Sequence, residues 1–202
     1  PNDFSDRVIA AMAETEAVCE HVHLPMQSGS SRVLKRMLRR YSREAYFECA
    51  DRLRAAIPGV ALTTDIIVGL PGESADDFIE TMDLLQEVQY DCVFGFKYSG
   101  RPNTPALTMI DSVPEEEKAR RLQVVLERQR EIQRANYAKH LGEEMEVMVE
   151  GTNPARGQIA GRSSQNKSVN FTTSLPIAPA PGSYMKVRIV NTYPNSLVGE
   201  AV

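Results

Sequence analysis

The sequence predicts an α/β chain in two parts, a parallel sheet of βα units over residues 1–140 and a small all-β barrel over residues 141–202. Three observations carry this reading. Strand-like runs alternate with amphipathic helices through the first part, the order expected of parallel strands joined by helical crossovers. After Gly142 the apolar period changes from that of a helix to that of a strand. Five short strand patterns with turn signals between them then fill the remaining residues, which describes a small barrel.

Each element follows from its local pattern. Residues 5–19 read as an amphipathic helix, followed by an extended segment, Glu20-His-Val-His-Leu-Pro. Ser30 or Ser31 can cap a short helix through Val33, Leu34 and Met37. Tyr46, Phe47, Ala50, Leu53 and Ile57 recur at helical spacing over 43–57, and Pro58-Gly59 ends that run. Val60 to Leu70 is β-branched and almost continuously apolar, as suits a parallel strand buried on both faces. Ser74 with Asp77 forms a capping box ahead of a helix over 75–89, and 91–98 reads as the next strand. A loop over 99–113 leads to a second box, Ser112 with Glu115, and a long charged helix to about His140, with Leu122, Val125, Leu126, Gln129 and Ile132 as its buried line. In the barrel, Met145, Val147 and Val149 alternate with glutamates, and Met185, Val187 and Ile189 alternate with Lys186 and Arg188. Shorter strands fit 157–162, 168–172 and 196–201, with turns at Asn153-Pro154 and Pro181-Gly182.

The chain has 202 residues, 42% hydrophobic and 25% charged, enough to bury a core without disulfides. Cys19, Cys49 and Cys92 are too far apart in sequence for a zinc or iron–sulfur motif and read as buried thiols in a reducing, cytoplasmic setting. No apolar run reaches the ~20 residues of a membrane span, and no signal peptide is visible, so no membrane partner is expected. The formal charge of −4 excludes a uniformly basic nucleic-acid binder. Charge is nevertheless local: no acid occurs between Glu20 and Glu44, an interval holding Arg32, Lys35, Arg36, Arg39, Arg40 and Arg43. That run reads either as a solvated helix face or as a phosphate-binding patch.

Ligands of parallel βα folds bind outside the carboxyl ends of the strands. Three segments fall there. Leu24 to Ser31 offers Gln27, Ser28 and Ser30 as neutral hydrogen-bonding groups around Gly29. Asp65 to Glu73 places an acid inside an apolar strand, a costly choice unless it is paired or functional, and ends in a Gly-Leu-Pro-Gly turn. Lys97 to Pro105 is the third. His21 and His23 share a strand face but lack further metal ligands nearby, and read as histidines satisfied by their neighbours. In the barrel, Arg162, Asn166, Lys167 and Asn170 gather beside Phe171, a guanidinium, amides and an aromatic face of the kind that hold looped RNA. The same run also reads as a polar hairpin with one core Phe. Five glutamates balance the five cations of residues 141–202, so RNA contact has to come from one face.

Three stretches occur in the order and spacing of one family: His23-Leu-Pro-Met-Gln-Ser-Gly-Ser30, Thr64-Asp-Ile-Ile-Val-Gly-Leu-Pro-Gly-Glu73 and Gly161-Arg-Ser-Ser-Gln-Asn-Lys-Ser-Val-Asn-Phe171. On these the chain resembles the radical-SAM methylthiotransferases, and corresponds to their carboxy-terminal portion. The resemblance implies a partial (truncated) radical-SAM βα half-barrel followed by an OB-like TRAM barrel. It implies S-adenosyl-L-methionine beside Gln27, Ser28, Gly29, Ser30, Asp65, Val68 and Gly69. Arg39, Arg40 and Tyr41 would border the mouth, near a substrate phosphate or the methionine carboxylate. Arg162, Asn166, Lys167, Asn170, Phe171, Lys186 and Arg188 would face tRNA at its anticodon stem-loop. The family's two 4Fe-4S clusters find no matching cysteine here, so their ligands are expected in an amino-terminal half that acts as partner to this one.

The implied activity is addition of a methylthio group to carbon 2 of N(6)-dimethylallyladenosine next to the anticodon. Gln-Ser-Gly-Ser disfavours the branch that modifies a ribosomal-protein aspartate. Gly-Arg-x-x-x-Asn-x-x-Val-Asn-Phe disfavours the threonylcarbamoyladenosine branch. A different class remains open: a non-catalytic RNA-binding piece, with exposed sheet edges that favour self-association.

Overall fold

The computed structural model describes residues 4–202 apart from 101, 103 and 111. One compact unit extends to Ile132, and a second runs from Gln133 to Val202 and takes in Cys19–His21. The division falls inside the long helix, ahead of the boundary near 141 expected from the change of period. Among the described residues no helix is long and apolar enough to cross a membrane.

In the first unit, α1 (Asp6–Glu14), β1 (His21–His23), α2 (Ser31–Arg36), α3 (Arg43–Ala56), β2 (Ala61–Val68), α4 (Ala75–Val88) and β3 (Cys92–Lys97) lead to α5 (Glu115–Ala138), which continues into the second unit. The sheet has the order β1-β2-β3. β2 and β3 run parallel, in register from Thr63↔Cys92 to Val68↔Lys97. Ala61 to Thr64 are buried on both faces of β2, whereas Asp65 and Ile67 are only half-buried. The core sits under one face, where Tyr46, Leu53, Leu62, Ile66, Leu84 and Leu85 are fully buried. Each such side chain contributes about 1.5–3 kcal/mol through burial. Thr64 is the polar tie within this core: its Oγ1 accepts from Met26 N–H at 2.7 Å and donates to Leu24 O at 2.8 Å. It thereby fixes the segment leaving β1 onto β2.

Helix starts follow their caps. Ser42 accepts from Ala45 N–H at 3.3 Å to open α3. Ser74 and Asp77 form the reciprocal capping box of α4. α5 begins at Glu115, and Ser112 Oγ accepts from Gly72 N–H at 3.1 Å. The thiols also differ from expectation: Cys49 is buried, but Cys92 is half-buried and Cys19 exposed.

The second unit is a closed barrel of β4 (Glu144–Asn153), β5 (Gln158–Ser163), β6 (Ser168–Thr172), β7 (Tyr184–Tyr193) and β8 (Ser196–Ala201), in the order β4-β5-β6-β8-β7. β6 and β8 are parallel, and the other neighbours antiparallel. Val147, Val149, Ile159, Val169, Phe171, Val187, Ile189 and Leu197 fill it, joined by Tyr137 of α5. These positions alternate with outward polar ones because strand side chains point to opposite faces in turn.

Candidate functional site

A cleft of about 750 Å³ opens at the carboxyl ends of the strands in the first unit, lined among others by Gln27, Arg36, Arg39, Asp65, Phe96 and Tyr98. Its position follows from strand register. Asp65 pairs with Phe94 and Ile67 with Phe96, so alternate residues at the end of β2 share a face with the aromatics of β3. That face is uncovered: Phe94 and Phe96 are 50% and 51% exposed. Gln27 enters the site with φ 67°, a left-handed conformation uncommon for a residue with a side chain. Two backbone bonds hold it there, Gln27 N–H to Asp65 O at 2.8 Å and Ile67 N–H to Gln27 O at 2.9 Å. Strain of this kind persists only where the surroundings over-determine it.

The turn after β2 is built from charge pairs. Glu73 accepts from Gly69 N–H at 3.1 Å and pairs with Arg121 of α5 at 2.5 Å, with both side chains buried. Burial pushes the Glu73 carboxyl above its ordinary range, and the bonds from Arg121 and Gly69 pull against that shift. Gly69 has φ +77°, and the Lys118 side chain occupies the space a Cβ would need. Lys118 Nζ in turn lies 5.7 Å from the Tyr98 ring centre. Asp77 is the opposite case. Burial disfavours its charge, but Arg32, Ser30 and Ser74 donate to it and together hold its carboxyl well below the carboxylate range.

On the outer surface of the barrel, charges pair with one another. Arg162 donates to Glu150 at 2.9 Å and to Asn166 Oδ1 at 3.1 Å, with Asn166 at φ 60° in the β5–β6 turn. Glu144 pairs with both Lys186 (2.7 Å) and Arg188 (2.5 Å), and these bonds pull its carboxyl down to about 2. Lys167 is buried, its Nζ 4.9 Å from the Tyr137 ring centre. Tyr184, 62% exposed, stands on this outer surface beside Met148, and Met148 pairs with Arg162 in turn.

Comparison with known proteins matches the two units to two domains. Residues 1–85 fit the model of the Radical SAM superfamily, and residues 138–202 fit that of the TRAM domain. The tRNA-2-methylthio-N(6)-dimethylallyladenosine synthase of Koribacter versatilis is 55% identical over 203 residues, 100% of this chain and 46% of that protein. The enzyme of the same name from Solibacter usitatus is 50% identical, over 100% of this chain and 45% of its own length. That of Acetivibrio thermocellus is 44% identical, over 100% and 42%. The chain thus carries a Radical SAM match followed by a TRAM domain, and along its whole length it is similar to the synthases named above. It spans less than half the length of these curated relatives.

Against these relatives, the residues singled out in sequence divide. Gln27 and Asp65 line the cleft. Ser28, Gly29 and Ser30 instead dock their segment onto α4. Ser28 Oγ lies 3.4 Å from Thr81 Oγ1, Gly29 N–H donates to Thr81 at 3.0 Å, and Ser30 donates to Asp77 at 2.7 Å. A Cβ at Gly29 would strike the α4 backbone at Glu80 and Thr81. Val68 is buried, and Gly69 serves through its backbone. Arg39 lines the cleft, Arg40 is exposed outside its lining, and the Tyr41 hydroxyl donates to Pro25 O at 3.1 Å. Arg101 and Asn103, in the third expected segment, lie outside the described residues. Arg36 stood out in sequence only as part of the basic run and Tyr98 only as part of the third segment, and Phe96 was not singled out. The alternation of Phe94, Phe96 and Tyr98 in step with Asp65 was the available signal for the aromatics.

In the TRAM barrel two expectations are corrected. Phe171 is fully buried in the core and presents no face for a base. Lys167 is buried against Tyr137, so it tethers the end of α5 rather than a phosphate. Arg162, Asn166, Asn170, Lys186 and Arg188 all remain on the outer surface, Arg162 and Asn170 partly buried and the other three exposed. Tyr184 is an exposed aromatic that was not singled out in sequence, although it keeps step with outward Lys186 and Arg188.

The chemistry of the cleft fits S-adenosyl-L-methionine: an acid, two guanidinium groups and an apolar aromatic wall meet a zwitterionic aminoacyl chain and an adenine. Arg36 Nε and the Tyr98 hydroxyl are buried here with no partner among the described residues. An iron–sulfur cluster does not fit. Among the described residues no three His, Cys, Asp or Glu side chains group as metal ligands.

Proposed function

We propose that this chain forms part of a tRNA methylthiotransferase acting on N(6)-dimethylallyladenosine next to the anticodon. In this reading it supplies one wall of the S-adenosyl-L-methionine site and the RNA-holding TRAM barrel. The observation that carries the reading is the cleft at the strand ends, where Asp65 and a strained Gln27 meet Arg36, Arg39 and Phe96. Similarity along the whole of this chain to less than half of each named synthase supports it.

Asp65 takes a cationic or hydrogen-bond-donating group of the ligand, Arg36 and Arg39 take its carboxylate, and Phe96 with Ile67 packs its adenine. When bound, S-adenosyl-L-methionine supplies the radical chemistry of the superfamily. In this reading the 4Fe-4S ligands would come from sequence outside this chain, which spans less than half the length of its relatives. Arg162, Lys186, Arg188 and Tyr184 make the barrel's RNA-facing surface. Orienting a bulky RNA against a bound cofactor is itself worth several kcal/mol of barrier, which a separate gripping domain supplies. The setting is cytoplasmic.

Titration calorimetry tests the cleft. The 202-residue chain is expected to bind S-adenosyl-L-methionine, and Asp65→Asn to weaken binding about tenfold, equivalent to ~1.4 kcal/mol. Binding unchanged in Asp65→Asn and Arg39→Ala would overturn the assignment. Iron and sulfide analysis of the same material is expected to find no stoichiometric cluster. A stoichiometric cluster would show that the ligand set lies within this chain.

A further inference from the structure

We infer that His23 is a positioning residue for Asp65, fixing how that carboxylate meets a donor group of the ligand. The inference rests on the reading of the cleft given above. His23 ends β1, and its ring is held by both other strands of the sheet. Nδ1 lies 3.0 Å from Thr63 Oγ1, and Nε2 lies 3.5 Å from Asp65 Oδ2. The ring also meets Phe94 of β3 edge-on, with centroids 5.9 Å apart and planes at 66°. A histidine satisfied only by solvent has no need of three such neighbours.

His23 does not line the cleft and Asp65 does, so any effect of His23 on a ligand passes through Asp65. The Asp65 backbone is already fixed, its carbonyl accepting from Gln27 N–H at 2.8 Å. Its carboxylate is not, because the terminal torsion of an aspartate is broad. His23 is the charged or polar side chain that meets this carboxylate among the described residues. With Oδ2 turned toward Nε2, Oδ1 is left for a donor in the cleft. This role requires one tautomer, with the proton on Nε2 toward Asp65 and Nδ1 accepting from the Thr63 hydroxyl.

A surface pair of this length contributes little to stability, so folding alone would not reveal the role. The test is a double-mutant cycle on binding, using S-adenosyl-L-methionine and 5'-methylthioadenosine, which lacks the ammonium and carboxylate. His23→Phe keeps the ring on Phe94 but removes both nitrogens, and His23→Gln restores a donor. His23→Phe is expected to weaken S-adenosyl-L-methionine roughly three- to tenfold, with no further loss in an Asp65→Asn background. His23→Gln should recover most of that. Loss confined to S-adenosyl-L-methionine makes the ammonium the donor at Asp65, and equal loss with 5'-methylthioadenosine makes it a ribose or adenine group. Additive losses, or none, overturn the inference. If the unaltered chain binds neither compound, the reading of the cleft fails. The inference is then judged on the ligand-free chain by long-range proton–nitrogen NMR of His23 at about pH 8, above the usual imidazole range. A proton on Nε2 that shifts in Asp65→Asn supports it, and a proton on Nδ1 overturns it.

Discussion

The two units treat sheet edges and charge in opposite ways. The barrel closes β4-β5-β6-β8-β7 on itself, so no strand is left unpaired at an edge. Its outward charges largely cancel in pairs, Glu144 with Lys186 and Arg188, and Glu150 with Arg162. The β1-β2-β3 sheet ends in two edges and leaves Phe94 and Phe96 half-exposed beside Asp65 and His23. Closure produces a surface whose polar groups are already satisfied. An open sheet leaves an apolar wall and an acid for something else to cover. In the proposed function this difference assigns small-molecule binding to the sheet and RNA gripping to the barrel, a surface that gains little from any single residue.

The largest effect expected from this contrast is at Phe171. If it is a core residue, Phe171→Ala costs about 3–5 kcal/mol, and Phe171→Leu costs less than about 1.5 kcal/mol. Hydrogen exchange of β5 and β6 peptides should lose protection in the alanine variant, while β2 and β3 peptides keep theirs. Binding of an anticodon stem-loop should survive Phe171→Leu. A folded Phe171→Leu chain that no longer binds RNA would return Phe171 to the interface.

A smaller effect is expected at Thr64, a hydroxyl kept inside the core of the first unit. Thr64→Val preserves shape but leaves the buried Met26 N–H without its acceptor, a cost of about 1–3 kcal/mol. The segment leading to Gln27 then loses its tie to β2, so S-adenosyl-L-methionine affinity should fall together with stability. Calorimetry alongside urea unfolding checks this. Lost stability with unchanged affinity would mean that the cleft does not depend on that tie.

These contrasts explain what could be read from sequence. Five barrel strands, the doubly buried half of β2 and the Ser74–Asp77 box were legible because each depends on residues a few positions apart. The fate of Ser28 and Ser30 was not, because Thr81 and Asp77 reach them from α4, some fifty positions on. Arg36 enters the cleft only because the turn after β2 comes back to it, its guanidinium donating to Pro71 O at 2.8 Å. Phe171 was misplaced for another reason. The motif around it drew attention to chemistry, although its step with Val169 already pointed inward.

The smallest effects concern two carboxylates held low by different means, Asp77 in the first unit and Glu144 on the barrel. For Asp77, burial opposes the charge and bonds from Arg32, Ser30 and Ser74 outweigh it. For Glu144, exposed bonds from Lys186 and then Arg188 lower the carboxyl to about 2. Both folded values lie below the unfolded range of ~3.9–4.3. Each contribution to stability is therefore fully present above that range and is lost as pH falls toward the folded value. Salt separates them. At about 1 M the screening length is ~3 Å, so the Glu144 share should vanish while that of buried Asp77 persists. Acid unfolding of Asp77→Asn and Glu144→Gln at low and high salt measures both. The Asp77 effect should appear at either salt and the Glu144 effect only at low salt. Glu144→Gln should also free Lys186 and Arg188, tightening stem-loop binding and steepening its salt dependence. Equal screening of the two would mean that Asp77 is not shielded from solvent in the way its burial indicates.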